Sequence, residues 1–333
     1  MSHLIRVSIG TAGVLGLRKV KMQAYPTTAY LMTYSKKKCT ANCAFCTQAR
    51  ESKTSANYLS RVLWPPYPLE DVALKLKEVA PKIIKRICFQ TINVPELREQ
   101  LLEEIRVLKR ANVRASISVA IHPVSDKFFQ ELKDAGVDTV GISIDAATPE
   151  LFDKIKGRDT GSPYTWDKHI DGLIRAQKIF GRGKVSTHLI IGLGETEKDA
   201  TKFIQKMKDL QIIVALFALT PMRGTALEDA KPPSIGQYRR TQLARFLIVN
   251  NISTYEKMKF NRSGQIIDFG VPDSELKRII ADGLSFMTSG CPHCNRPYYN
   301  EDPRGVLYNF PFRPNQEHIK RILDELKEGL ENE

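Results

Sequence analysis

The chain of 333 residues has no apolar run approaching the roughly 18 residues needed to cross a bilayer. Its first stretch, Met1 to Gly10, carries no signal-peptide pattern, so the expectation is a cytoplasmic protein without a membrane partner. Cysteine is scarce, six in all, which excludes a disulfide-stapled scaffold. Acidic residues are outnumbered, 37 against 50 Lys and Arg, leaving a formal charge of +13. The excess is dispersed, with only short knots such as Lys36, Lys37 and Lys38. A solvated surface accounts for most of it, and the remainder favours an acidic protein partner or nucleic acid. Hydrophobic and charged fractions of 42% and 26% exclude a disordered or collagen-like chain. At about 150 residues per domain the length sets a prior of roughly two units, although α/β barrels exceed 200 residues as one.

Apolar, β-branched runs alternate with amphipathic stretches, the pattern of β/α units around a parallel sheet. The strands expected are Ala29–Thr33, Arg86–Gln90, Ala115–Ala120, Thr139–Ile144, Ser186–Ile191 and Ile213–Leu219. Between and after them helices are expected over Leu69–Val79, Glu96–Arg110, Asp126–Ala135, Trp166–Phe180, Glu197–Leu210 with Thr196 as N-cap, and Ile235–Val249. Six units are too few for a closed eight-stranded barrel, so the fold class is α/β with an open, partial (β/α)6 barrel. The alternation starts after residue 25 and ends near 255. That divides the chain into an N-terminal extension (1–25), the barrel (26–255) and a loop-rich C-terminal region (256–333). In the last region a short strand is expected at Gln265–Phe269, with helices at Ser274–Asp282 and Gln316–Leu330.

The placement of the cysteines carries the most information. Cys39, Cys43 and Cys46 lie within eight residues, directly after the first barrel strand. Three thiolates so close can converge on one small object: a 4Fe-4S cluster whose fourth iron stays open, or a zinc ion, although structural zinc wants a fourth nearby Cys or His that this loop lacks. Cys291 and Cys294 form a CxxC near the C-terminus, and Cys88 stands alone in the second barrel strand. By strand alternation Cys88 shares a side with Gln90, and an inward side would put the thiol inside the barrel. A lone strand cysteine is ordinarily a small buried hydrophobe. The CxxC fits half of a zinc site completed by Cys88 and His293, or half of a second cluster. Cys88 is the remaining cysteine that could complete it, with one iron open or held by an oxygen such as that of Ser289. A carbon radical formed beside a sulfide of such a cluster would take that sulfur, with iron accepting the electron.

The three-then-two spacing, with Phe45 immediately before the last cysteine and a barrel strand before the loop, resembles the radical SAM superfamily. The resemblance implies S-adenosylmethionine (SAM) held on the open iron of the first cluster, and a one-electron reduction that yields a 5'-deoxyadenosyl radical able to abstract hydrogen from an unactivated carbon. An electron donor such as a ferredoxin is implied with it. Gln90-Thr91 stands where the superfamily has a Gly-Gly-Glu stretch that receives the methionine amino group, a departure from its pattern. Ser143-Ile-Asp145 ends the fourth strand at the barrel mouth, where Asp145 reads either as a ribose ligand or as a loop cap. Leu189-Ile-Ile-Gly192-Leu-Gly194-Glu195 resembles the strand that passes the adenine, where glycine admits a flat ring. Pro221-Met-Arg223-Gly224-Thr225 resembles the Pro-x-x-Gly-Thr turn of biotin-synthase-like members; Arg223 reads as a carboxylate clamp or as a surface arginine. His122, His169 and His188 read as packing or solvated residues, and Tyr30 and Tyr34 flank the cluster loop.

Leu59-Ser-Arg-Val-Leu-Trp64-Pro-Pro, the run Cys39–Arg50 and the tail Thr288–Gly305 resemble the biotin-synthase-related group containing the two proteins of the archaeal-type lipoyl synthase. That resemblance implies a sulfurtransferase acting on an octanoyl chain borne by a lipoyl-carrier protein of the glycine-cleavage H type. It also implies a second related radical SAM protein as partner. Such carriers are generally acidic, which suits a +13 chain. Rival readings are sulfur insertion into a small molecule by a biotin-synthase-like enzyme, a tRNA-modifying enzyme held through phosphates, and a non-catalytic iron-sulfur or zinc protein. Nucleic acid is the disfavoured partner, since Tyr298-Tyr299 is a short aromatic pair that reads as local packing.

Overall fold

The computed structural model describes residues 3–301 and 305–330. Residues 302–304, part of the tail quoted above, lie outside the described residues, as do 1–2 and 331–333. Twelve strands are formed among the described residues: β1 (Leu4–Val7), β2 (Thr28–Thr33), β3 (Tyr58–Leu59), β4 (Val62–Leu63), β5 (Pro66–Pro68), β6 (Arg86–Gln90), β7 (Ser116–Ala120), β8 (Thr139–Gly141), β9 (Val185–Ile191), β10 (Ile213–Ala218), β11 (Lys259–Phe260) and β12 (Ile266–Asp268). The helices are α1 (Ile9–Val14), α2 (Leu69–Val79), α3 (Leu97–Arg110), α4 (Asp126–Asp134), α5 (Pro149–Ile155), α6 (Trp166–Phe180), α7 (Glu197–Asp209), α8 (Ile235–Val249), α9 (Asp273–Asp282) and α10 (Gln316–Glu325). None of these helices is long and apolar enough to cross a membrane.

One eight-stranded sheet runs β10-β9-β8-β7-β6-β2-β1-β5. The six expected strands pair in parallel, the open (β/α)6 arrangement. Two antiparallel strands extend it: β1, which the sequence reading leaves within a bare extension, pairs with β2 on one side and β5 on the other. β5 begins and ends on proline, which has no backbone N–H to offer a further strand.

Alternation along each strand divides core from lumen. Ile87, Phe89, Ile117, Val119, Leu189, Ile191, Val214 and Leu216 are buried in the core, and amphipathic helices such as α3 and α4 lay their apolar stripes on the sheet. Ser and Thr side chains cap several helices: Ser125 for α4, Thr148 for α5, Thr165 for α6 and Ser234 for α8. Thr196 caps α7 as expected, in a reciprocal capping box with Asp199. The inward positions are small or polar: Ser118, Ala120, Thr139, Gly141, Ser186 and Ala215 line a cavity. A closed eight-stranded barrel fills this space with branched side chains. Here it stays hollow.

Two boundaries differ from expectation by more than one residue. The fourth barrel strand stops at Gly141 rather than Ile144, because Asp145 takes a left-handed conformation, φ 69°, and pairs with Leu189 only as an isolated bridge. The last helix ends at Glu325 rather than Leu330.

Candidate active site: two thiol triads in one lumen

The loop after β2 is pinned by its own backbone, with Cys39 N donating to Gln48 O at 3.0 Å and Cys46 N to Cys43 O at 3.0 Å. Cys39, Cys43 and Cys46 thereby line one cavity at the C-terminal ends of the strands, together with Gln90, Thr91, His122, Ser143, Asp145 and Lys156. Among the described residues no group of three His, Cys, Asp or Glu side chains is gathered to hold a single metal ion. Thiols that face one cavity without meeting at one point suit an object larger than an ion, and that fits a cluster better than zinc.

Burial pushes the Cys43 thiol up, against the opposing pull of Lys156, and pushes Cys46 to about 11 against a hydrogen bond from Gln48. Such thiols stay protonated and inert until a cation displaces the proton. Lys156, at the end of α5, is the cation buried beside them. Its Nζ donates to Ser143 O at 2.5 Å and to Asp145 Oδ2 at 2.6 Å. Burial works against that charge, the Asp145 carboxylate acts the other way, and the pKa is raised. Asp145 is therefore held by Lys156 in this structure, on the wall between the two cysteine sets.

The second set meets at the opposite end of the same lumen. Cys88 points inward from the middle of β6, with Gln90 Nε2 donating to its sulfur at 3.2 Å. Cys291 and Cys294 arrive on a C-terminal segment that is stapled to the starts of the strands. Thr27 Oγ1 donates to His293 O at 2.7 Å, and Arg86 Nε donates to Pro292 O at 3.0 Å. All three thiols line one cavity with Tyr30, Arg86 and Arg296. Burial raises the pKa of Cys88 and Cys294, and the Arg296 guanidinium opposes it at Cys294.

Neither arginine forms an ion pair among the described residues. Arg86 Nη1 donates to Ser118 Oγ at 2.5 Å and Thr139 Oγ1 at 3.0 Å. Arg296, 8% exposed, lies over the Phe217 ring at 3.7 Å and donates through Nη2 to Ser289 O at 2.8 Å, while its Nε and Nη1 make no hydrogen bond. The nearest countercharge to Arg296 is the buried Glu301 carboxyl, which makes no ion pair with it; burial raises that carboxyl's pKa and the Arg296 charge pulls it down. The two buried arginines leave room for a further anion. A thiolate-ligated cluster is one.

The same segment closes the open side of the sheet. Ser289 Oγ accepts from Leu216 N at 2.8 Å, Arg296 Nη2 reaches Leu216 O at 3.2 Å, and Arg245 Nε donates to Val214 O at 2.7 Å, so the free edge of β10 is covered by side chains. On the far side of the gap Tyr299 packs against Tyr30 and Trp64, with ring centroids 4.8 and 6.1 Å apart.

The structure does not bring every expected residue to the lumen. Gly192, Gly194 and Glu195 line neither cavity. The Glu195 carboxylate accepts from Gly192 N at 2.7 Å and Leu193 N at 3.0 Å, capping its own turn. A Cβ on Gly192, at φ 102°, would lie 2.7 Å from Pro233 Cδ, so its close approach is to the chain itself rather than to a ring in the lumen. Arg223 is exposed on its turn and serves through its carbonyl, which accepts from Thr54 Oγ1 at 2.6 Å; of its two readings, the surface arginine is the one observed. Ser289 spends its hydroxyl on Leu216 N and does not line the cavity with the cysteines. Thr91 donates its hydroxyl to Ala120 O at 2.9 Å. Phe45 and Gln90 line both ends of the lumen.

Other residues exceed their sequence reading. His188, taken for packing, lines both cavities and pairs through Nδ1 with Ser143 Oγ at 2.8 Å. His122 and His169 line the upper one. Burial lowers His122 and His188 to about 4, so both are neutral imidazoles near neutral pH. Tyr30 belongs to the lower set, with its hydroxyl 3.4 Å from Cys294 Sγ, rather than to the loop it precedes. Lys156 had no sequence signal. Arg296 had one, its place two residues after Cys294.

Residues 34–207 match the family model of the Radical SAM superfamily. Among curated proteins the chain is 32% identical over 202 residues to a biotin synthase from Citrifermentans bemidjiense, covering 58% of this chain and 56% of that protein. A biotin synthase from Hydrogenobaculum sp. is 26% identical over 195 residues, with 58% and 56% covered. The chain thus spans 56% of the length of these relatives. In fold it is similar to methylornithine synthase (PylB), TM-score 0.54 at 12% identity over 72% of this chain and 67% of that one. It is also similar to the FeFe-hydrogenase maturase HydG from Carboxydothermus hydrogenoformans, TM-score 0.50 at 15% identity over 95% and 70%. At such identities the likeness concerns the fold alone.

Proposed function

The chain belongs to the radical SAM superfamily, and from that premise we propose that it is a sulfurtransferase that inserts sulfur at an unactivated C–H bond of a protein-bound octanoyl chain. The observation that carries this reading is the pairing of two thiol triads at opposite ends of one lumen whose shared wall includes Phe45, Leu59, Ala120 and His188. When bound, a 4Fe-4S cluster with SAM at the upper triad supplies a hydrogen-abstracting radical, and an auxiliary 4Fe-4S cluster at the lower triad supplies sulfur.

The residues of the chain do the rest. Cys39, Cys43 and Cys46 would hold the first cluster, with Gln90 and His122 within the same cavity as candidate contacts for SAM. Cys88, Cys291 and Cys294 would hold the second, their negative charge balanced by Arg86 and Arg296. Between them Ala120, Ile190, Phe217 and Leu219 offer an apolar wall on which an alkyl chain can lie in line with both ends. Tyr299 and Trp64 help keep water from the seam. The partners that go with this reading are an acidic carrier of the H-protein type, a second related radical SAM protein and a low-potential electron donor such as a ferredoxin.

A second reading has its own support. The identity with biotin synthases favours sulfur insertion into a small molecule such as dethiobiotin. Iron and sulfide content with Mössbauer spectra, on anaerobically reconstituted protein beside a Cys291→Ala/Cys294→Ala variant, tests the two-cluster core of both. About eight irons falling to about four supports it, and about four in both proteins overturns it. Incubation with an octanoylated carrier or with dethiobiotin, scored by mass gain, then separates the substrates. Thiolated dethiobiotin with an untouched carrier overturns the first reading.

A further inference from the structure

The sulfurs of the two triads are met by different donors. At the upper triad the partners are backbone amides: Ala41 N donates to Cys39 Sγ at 3.4 Å and Gln48 N to Cys46 Sγ at 3.4 Å. Among the described residues no side chain donates to an upper sulfur. At the lower triad every sulfur faces a side chain. Gln90 Nε2 donates to Cys88 Sγ at 3.2 Å, Cys291 Sγ lies 3.9 Å from Ser186 Oγ, and the Tyr30 hydroxyl lies 3.4 Å from Cys294 Sγ.

The direction of the Tyr30 bond follows from its surroundings. The side chain is 2% exposed, and its oxygen already accepts from Arg296 N at 2.9 Å. Among the described residues its own hydrogen has one acceptor within reach, Cys294 Sγ. A thiolate bound to iron carries no proton, so beside a cluster Tyr30 is the donor of the pair. Negative charge added to an iron-sulfur cluster spreads onto its ligand sulfurs, and a hydrogen bond aimed at a sulfur favours the reduced form. Around a buried phenol no competing solvent weakens that bond.

We infer that Tyr30 is a positioning residue that acts through Cys294: its hydrogen bond raises the reduction potential of a cluster on the lower triad, so that this cluster accepts the electron released when the carbon–sulfur bond forms. The inference rests on the two-cluster reading of the lumen. The carbon's unpaired electron and one electron of a cluster sulfide make the new bond, the sulfide's other electron reduces one ferric iron to ferrous, and no proton moves. Phenylalanine in place of Tyr30 keeps the ring against Tyr299 and removes the donor alone.

The test uses the full chain with Cys39→Ala/Cys43→Ala/Cys46→Ala, reconstituted so that its iron sits at the lower triad, with and without Tyr30→Phe. Iron content is read first, and about four irons are expected in both proteins. In a redox titration followed by electron paramagnetic resonance, Tyr30→Phe should make reduction about tenfold less favourable, a midpoint lower by about 59 mV for one electron. In resonance Raman spectra the Fe–Sγ bands should move in D2O, and that shift should shrink in Tyr30→Phe. Tyr298→Phe, which removes a hydroxyl that donates to Gln23 Oε1 at 3.1 Å on the same segment, should change neither quantity. Equal midpoints and equal D2O shifts, with four irons in both proteins, overturn the inference and leave the two-cluster reading standing. An iron-free triple variant overturns that reading, and the inference falls with it. Should Tyr30→Phe alone lose its iron, the Fe–Sγ bands in a Gln90→Leu background decide: a surviving D2O shift supports the inference, and bands indifferent to D2O overturn it.

Discussion

The two thiol triads solve one problem, holding three sulfurs around a cavity, by opposite means. The upper triad is local: eight residues of one loop, with a buried cation, Lys156, already paired to Asp145. The lower triad joins Cys88 to a segment 203 positions further on, and its two arginines form no ion pair among the described residues. The difference separates assembly from charge. A local triad can form with its loop and needs no counter-ion from its ligand, whereas the lower one depends on the C-terminal segment being docked and is electrostatically incomplete without an anion.

Substituting the cysteines breaks the comparison most severely. Cys43→Ala should abolish deoxyadenosine formation under dithionite, whereas Cys291→Ala/Cys294→Ala should retain it while losing all sulfur transfer; chromatography of nucleosides and mass spectrometry of the carrier read the two. Next in size is the buried ion pair. Asp145→Asn strands the Lys156 charge and should cost about 3–5 kcal/mol in denaturant unfolding, and Asp145→Asn/Lys156→Met should recover much of that. At the lower triad, Arg296→Gln should weaken iron retention there by about 10–100-fold with the upper iron untouched, as measured against a chelator.

A further effect concerns Glu195, outside both triads. Burial raises its pKa to about 7 from 4.5, against the hydrogen bonds of its turn. The stabilisation belongs to the protonated form. It is complete below the unfolded value near 4.5 and is lost as pH rises through about 7, on the order of 3 kcal/mol. Thermal melts of wild type and Glu195→Gln, whose amide stands in for the neutral carboxyl, should therefore agree near pH 5 and separate by pH 8 with the wild type melting lower, and parallel melting curves would refute this.

What the sequence disclosed follows the same divide. The six parallel strands and the helices that cover them rest on periodicity, which is local. The upper loop is equally local, and Cys88 could be put on one side of its strand with Gln90 because alternation needs no knowledge of the rest of the fold, although which side faces the lumen does. β1 escaped because four residues are too few for a pattern and its position is set by pairing with β2 and β5. Lys156 escaped because nothing near it in sequence says that Asp145, left-handed at the end of a short strand, will accept it. The neighbour of Gly192 could not be read, because a glycine-bearing turn looks alike in sequence whatever packs against it, here Pro233.

An open barrel has two free edges, and here they are guarded differently. The prolines of β5 are permanent, but the backbone of β10 is shielded by Ser289, Arg245 and Arg296, two of them on the segment that carries Cys291 and Cys294. Whatever lifts that segment uncovers Leu216 as a template for a strand from another molecule. The hydrogen bonds that dock the segment, from Thr27 and Arg86, thus also protect the sheet edge on the opposite side of the molecule's gap.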